Sequence, residues 1–172
     1  MRFFSLFDLP VSFNIDLEVL NQRYREIQKA VHPDHHANSS SNQKLLSIQK
    51  ASEVNDAYET LKKPLTRAEY MVAEHGFDVR HEQHTIRDNM FLMQQMELRE
   101  ELEEIASATD IESAIDDFYD DVKILITQYT QQFENEFNQQ HYETAADAVR
   151  KLRFVYKLKE EAQLLEDKLL DI

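Results

Sequence analysis

Three consecutive residues, His32-Pro33-Asp34, concentrate the most chemistry in the chain: an imidazole, a carboxylate, and between them a proline that restricts the backbone. His35 and His36 follow directly, and imidazole with carboxylate suits several divalent metals. Clustered in one loop without donors from elsewhere, they would make a poor cage, and no metal is expected. Asp116-Asp117 and Asp120-Asp121 could together attract a hard cation, but solvated acid is the commoner state of such a helix face. With no cysteine there are no disulfides, zinc-thiolate sites or thiol nucleophiles. Neither a Gly-rich phosphate loop, a nucleophile with a credible base, nor a spaced metal triad appears. The expectation is a binding protein, not an enzyme, with no cofactor.

The elements around the tripeptide determine how it is displayed. Upstream, Leu17, Leu20, Tyr24, Ile27 and Val31 recur at 3-4-3-4 spacing, the stripe of an amphipathic helix, with Gln22, Arg25 and Lys29 on the opposite side. Pro33 disfavours the helical conformation of the residue before it, so this helix is predicted to end at His32. After a polar loop over 34–42, a second helix is predicted from about Gln43, with Leu45, Ile48, Ala51, Tyr58 and Leu61 inward, ending before Pro64. Pro64 can open a third, short helix to about Glu74, since its missing N–H would be unpaired there. The tripeptide thus sits at the tip of a helical hairpin.

Segment 75–85 holds the only glycine, Gly76, and three of the seven histidines, and is taken as a linker between a domain over 1–74 and another over 86–172. Three long helical patterns follow. The first has Phe91, Leu98, Leu102 and Ile105 on one face; the second Ile111, Ile115, Phe118, Val122, Leu125, Tyr129 and Phe133; the third Val149, Leu152, Tyr156, Ala162, Leu165 and Leu169. Short connections between them predict an antiparallel three-helix bundle. One Gly and three Pro among 172 residues agree with an all-α chain.

Charge is unevenly placed. Residues 1–75 carry 9 Lys+Arg against 10 Asp+Glu, a net −1, whereas 76–172 carry 10 against 23, a net −13. Such a field repels phosphate backbones, so nucleic acid is not an expected partner and a basic protein is. No apolar run approaches the roughly 20 residues that span a bilayer. No membrane association is expected, and a cytoplasmic location is.

With Phe91, Leu98, Leu102 and Ile105 inward, Leu92, Met93 and Met96 project to the other side beside Glu97, Glu100 and Glu104. Exposed apolar side chains with adaptable thioethers, rimmed by acid, describe a docking patch for a partly basic protein. Phe154 falls opposite Leu152 on its own helix, among Arg150, Arg153 and Lys157. The competing readings are a helix buried on two sides, which would place the methionines in the core, and a purely solvated acidic face.

Tyr24 to Val31, then Val54-Asn55-Asp56-Ala57-Tyr58-Glu59-Thr60-Leu61, then Pro64, Arg67, Ala68 and Tyr70, with an opening Phe3 to Leu9, resemble the J-domain pattern along its length. Arg67-Ala68-Glu69-Tyr70, His75-Gly76-Phe77-Asp78, Leu92-Met93, Glu97 to Leu102 and Ala146 to Phe154 further resemble the HscB family, the J-proteins of iron–sulfur cluster assembly. That resemblance implies a J-domain hairpin joined to a client-binding helical domain. It implies that His32, Pro33, Asp34 and the basic face of Gln22, Arg25 and Lys29 engage the DnaK-type chaperone HscA and accelerate its ATP hydrolysis. It also implies that Leu92, Met93, Met96, Glu97, Glu100, Glu104 and Phe154 hold the scaffold protein IscU. A monomer is expected in isolation. His35 and His36 depart from the pattern, since many J-domains place a lysine there. The remaining alternative is a helical holdase that binds partners without any ATPase.

Overall fold

The computed structural model describes residues 1–36, 39–81 and 86–170, which form helices and turns and no strand. Two compact units divide between Glu74 and His75.

In the first unit α1 (Arg2–Leu6) and α2 (Leu17–Val31) precede a 3-10 turn (Pro33–His36), then α3 (Ser41–Lys62) and α4 (Pro64–Ala73). Asp16 caps α2 by accepting from the N–H groups of Glu18 and Val19, at 3.0 and 3.3 Å. Ser40 and Gln43 form a reciprocal capping box at the start of α3. Pro64 occupies the start of α4 as expected. Across the hairpin Tyr58 donates to Asn21 (2.8 Å) and Tyr24 to Asn55 (2.6 Å), so residue numbers rise on one helix as they fall on the other: α2 and α3 are antiparallel. The Tyr24 and Tyr58 rings stack at 3.9 Å.

Phe4, Phe7, Leu20, Val54, Ala57, Leu61, Ala68 and Met71 make the core of this unit. Arg67 is buried, donates to the carbonyls of Leu61 (2.8 Å) and Phe13 (2.7 Å), and lies over the Phe13 ring. It ties the α3–α4 junction to the loop before α2.

One expectation fails in α3. Leu45 and Ile48 point outward, and the buried residues are Ser47, Val54, Ala57 and Leu61, spaced by seven, three and four. That spacing is itself a helical stripe, and its small members allow α2 and α3 to approach closely. The more hydrophobic set of positions therefore lost to the better-fitting one.

The second unit contains α5 (Asn89–Glu104), a 3-10 turn (Ile105–Ser107), α6 (Ile111–Asn138) and α7 (Tyr142–Leu170). Gln140 takes a left-handed φ of 64° between α6 and α7, turning the chain back on itself. Tyr119 of α6 donates to Glu166 of α7 (2.7 Å). Tyr129 of α6 donates to Gln94 of α5 (2.5 Å). Along α5 and α7 the pairs are Asp88–Lys151, Phe91–Phe154 and Arg99–Glu161, which advance together. Hence α5 and α7 are parallel with α6 antiparallel to both, the up-down-up bundle that short connections predict. Phe91, Leu98, Leu102, Ile105, Ile115, Phe118, Val122, Tyr129, Phe133, Val149 and Leu152 are buried as the wheel places them.

The described part of the segment taken as a linker, 75–81, packs on this second unit. His75 stacks on Tyr142 at 3.7 Å, Val79 is buried, and Arg153 donates to the carbonyls of Val79 and Arg80. Residues 82–85 lie outside the described residues.

Candidate partner-binding sites

At the hairpin tip α2 ends where Pro33 requires it: His32 is extended, with φ −61° and ψ 133°. In the following 3-10 turn Asp34 and His35 are exposed. Asp34 is 90% exposed and His32 51%. The Asp34 N–H donates to His32 Nδ1 at 3.2 Å, and the Asp34 carboxylate stands 3.4 Å from the same nitrogen. When the ring is neutral, Nδ1 accepts from the backbone and Nε2 carries the proton outward. When it is protonated, Nδ1–H faces the carboxylate. Either way Asp34 orients the ring, about half of which stays exposed. Behind it Gln22, Arg25 and Lys29 are all exposed on α2, with the Gln22 amide donating to Glu26 (3.2 Å). The turn thus follows directly on the helix that carries the basic face.

The second site lies on the outer face of α5. Asp88 caps α5 through the Phe91 N–H (3.1 Å), and its other oxygen accepts from Lys151 Nζ (2.7 Å). Lys151 is itself buried, lying over the rings of Phe91 and Tyr129 at 5.7 and 5.6 Å. The hydrogen bond from Lys151 holds the Asp88 carboxyl below its usual range. This knot fixes the start of α5 on α7, and therefore the direction in which the next turn points.

From that turn Met93 and Met96 project with 62% and 73% of their surface exposed, beside Leu92 and the exposed Glu97, Glu100 and Glu104. The alternative in which the methionines belong to the core is excluded. Phe154 is half-buried, its ring edge-on to Phe91 at 5.8 Å, so one flank supports the core and the other remains available. Between α5 and α7 an open groove of about 630 Å³ is lined by Gln95, Met96, Arg99, Glu100, Glu103 and Phe154. Arg99 crosses its floor to Glu161 at 2.5 Å. Sequence reasoning missed Gln95, Arg99 and Glu103. Their only signal is position relative to Met96, three and seven residues along or one back, which becomes informative once α7 is known to lie alongside.

On the side of α5 facing α6, Glu101 is partly buried and its neighbours are acidic. Burial first, then Asp121, Asp117 and Glu104, push its carboxyl up to about 7. Among the described residues no cluster of histidine and carboxylate side chains forms a metal site, and no helix is long and apolar enough to cross a membrane.

A proline-stopped helical hairpin with an outward His-Pro-Asp turn beside a basic helix face defines a J-domain protein. Family models agree: residues 8–70 match the DnaJ domain, and 87–163 match the HSCB C-terminal oligomerisation domain. The chain is 51% identical to a co-chaperone protein HscB homolog of Vibrio parahaemolyticus, covering 99% of both chains. It superimposes on chaperone HscB from Vibrio cholerae with a TM-score of 0.86 at 41% identity, covering 98% of this chain and 99% of that one. Against human co-chaperone protein HscB the TM-score is 0.87 at 31% identity, with 97% and 83% covered. The chain belongs to the HscB family of J-domain co-chaperones.

Proposed function

We propose that this protein stimulates the ATPase of the DnaK-type chaperone HscA through its hairpin tip, and delivers the iron–sulfur scaffold IscU to it on the outer face of α5. The observation that carries the first half is the solvent-facing turn of His32, Pro33 and Asp34 beside Gln22, Arg25 and Lys29. The turn supplies no bond-making group. It acts by binding one conformation of its partner more tightly than another, and a tenfold change in that equilibrium needs about 1.4 kcal/mol of differential affinity. A directional imidazole edge, a carboxylate and flanking cations are sufficient to provide it.

The second half is supported by Leu92, Met93, Met96 and Phe154 emerging from an acidic surface formed by Glu97, Glu100 and Glu104. Apolar anchors with an acidic rim suit a client that presents apolar residues among basic ones. Any iron–sulfur chemistry would remain with the client, because this chain has no cysteine to ligate a cluster.

The test is ATP turnover by HscA with and without the full chain. His32→Gln should abolish stimulation while helicity is retained; stimulation that survives the change refutes the assignment of the tip. In the same assay IscU should add to stimulation only through a protein whose α5 face is intact.

A further inference from the structure

The most exposed apolar surface of the first unit lies outside the elements assigned above. In the opening turns of α3, residues 41–50, every side chain is exposed except Ser47. Leu45, Leu46 and Ile48 are exposed by 54%, 63% and 53%. At 3.6 residues per turn these three occupy an arc of about 160° centred near Leu45, with Ser47 at its back against the hairpin. Lys44 borders the arc beside Ile48 and Lys50 borders it beside Leu46. Lys50 reaches only weakly toward Glu53, at 3.9 Å.

This register keeps Val54, Ala57 and Leu61 in the core and leaves three large aliphatic side chains at the start of the helix in water. Each large aliphatic side chain left in water forgoes the transfer free energy of burial. A surface of that type marks an interaction site. Its place says with what. The start of α3 lies at the hairpin tip, and α3 packs against the 3-10 turn that carries Asp34. Any body large enough to grip His32 and Asp34 is brought beside it.

We propose that Leu45, Leu46 and Ile48 form a second, apolar contact for the DnaK-type chaperone engaged by the His32–Asp34 turn, meeting a nonpolar surface bordered by acid. The turn acts on the partner's conformational equilibrium, whereas the patch contributes affinity and helps to select which DnaK-type chaperone is engaged. This rests on the reading that the chain engages such a chaperone, and the two separate experimentally.

The experiment titrates HscA ATPase with the full chain and with a Leu45→Gln/Leu46→Gln/Ile48→Gln variant. The changes are on an exposed helix face and introduce a good helix former, so circular dichroism should be unchanged. The half-maximal concentration should rise roughly tenfold or more, with the same maximal stimulation at saturation, the signature of lost affinity. A Lys44→Glu/Lys50→Glu variant should shift the curve the same way, and the shift should shrink at high salt. A triple variant that titrates like the parent overturns the patch while leaving the turn's role standing. Failure of the parent chain to stimulate HscA overturns both. A parent that sediments as a dimer and a triple variant that sediments as a monomer would make the patch a contact between copies, and overturn the proposal.

Discussion

Glu101 allows the sharpest test of the electrostatics within the second unit. It sits on α5 against Asp117 and Asp121 of α6, with Glu104 one turn away on its own helix, and its carboxyl is pushed from an ordinary 4.5 to about 7, first by burial and then by Asp121. The folded state therefore holds a proton that the unfolded chain has released across pH 4.5 to 7. Stability from this group is complete below pH 4.5, declines over that interval, and is absent above pH 7. At 1.36 kcal/mol for each pH unit the interval corresponds to about 3.4 kcal/mol. The carboxyl is only partly buried, so solvent screening reduces this to about 1–1.5 kcal/mol. Glu101→Gln removes the titrating group, and its amide can donate to Asp121 as the protonated acid does. Amide exchange at Leu98 to Leu102, compared between parent and variant at one pH, cancels the intrinsic rate and isolates α5. At pH 5 the two should exchange alike, while at pH 8 the variant should be roughly 5- to 13-fold slower. A ratio that does not change between the two pH values would refute the account of Glu101.

Two further outcomes follow from the geometry. Combining Leu92→Ala, Met93→Ala and Phe154→Ala should weaken binding of IscU by roughly 100-fold, from about 1 kcal/mol for each truncated anchor, while basal stimulation of HscA stays intact; isothermal titration and the ATPase assay measure the two effects. Asp88→Ala removes the cap of α5 and leaves Lys151 buried without its carboxylate, which should cost about 2–3 kcal/mol in urea unfolding followed on the second unit, whereas Asp88→Asn should cost less because an amide oxygen still caps.

The hairpin and its motif were legible because prolines constrain the backbone locally. Pro33 ends α2 and Pro64 opens α4 whatever surrounds them. The second unit was legible because the stripe of α6 from Ile115 to Phe133 is large, apolar and continuous, so no rotation of the helix hides it better. The start of α3 was misread because its periodicity permits two inward faces. Leu45 and Ile48 lie on one; Ser47, in register with Val54, Ala57 and Leu61, lies on the other. What decides between them is the α2–α3 separation, set by the stacking of Tyr24 on Tyr58 and the Asn21 and Asn55 hydrogen bonds, and no window of sequence contains both partners. The same holds for Lys151 and Asp88, 63 residues apart: no local window contains both the cap of α5 and the buried cation that completes it. Local rules thus predict where helices begin and end, and long-range pairs decide which face each one leaves exposed. The apolar surface of α3 was hidden from sequence reasoning because its leucines have the composition of a core and the position of a contact.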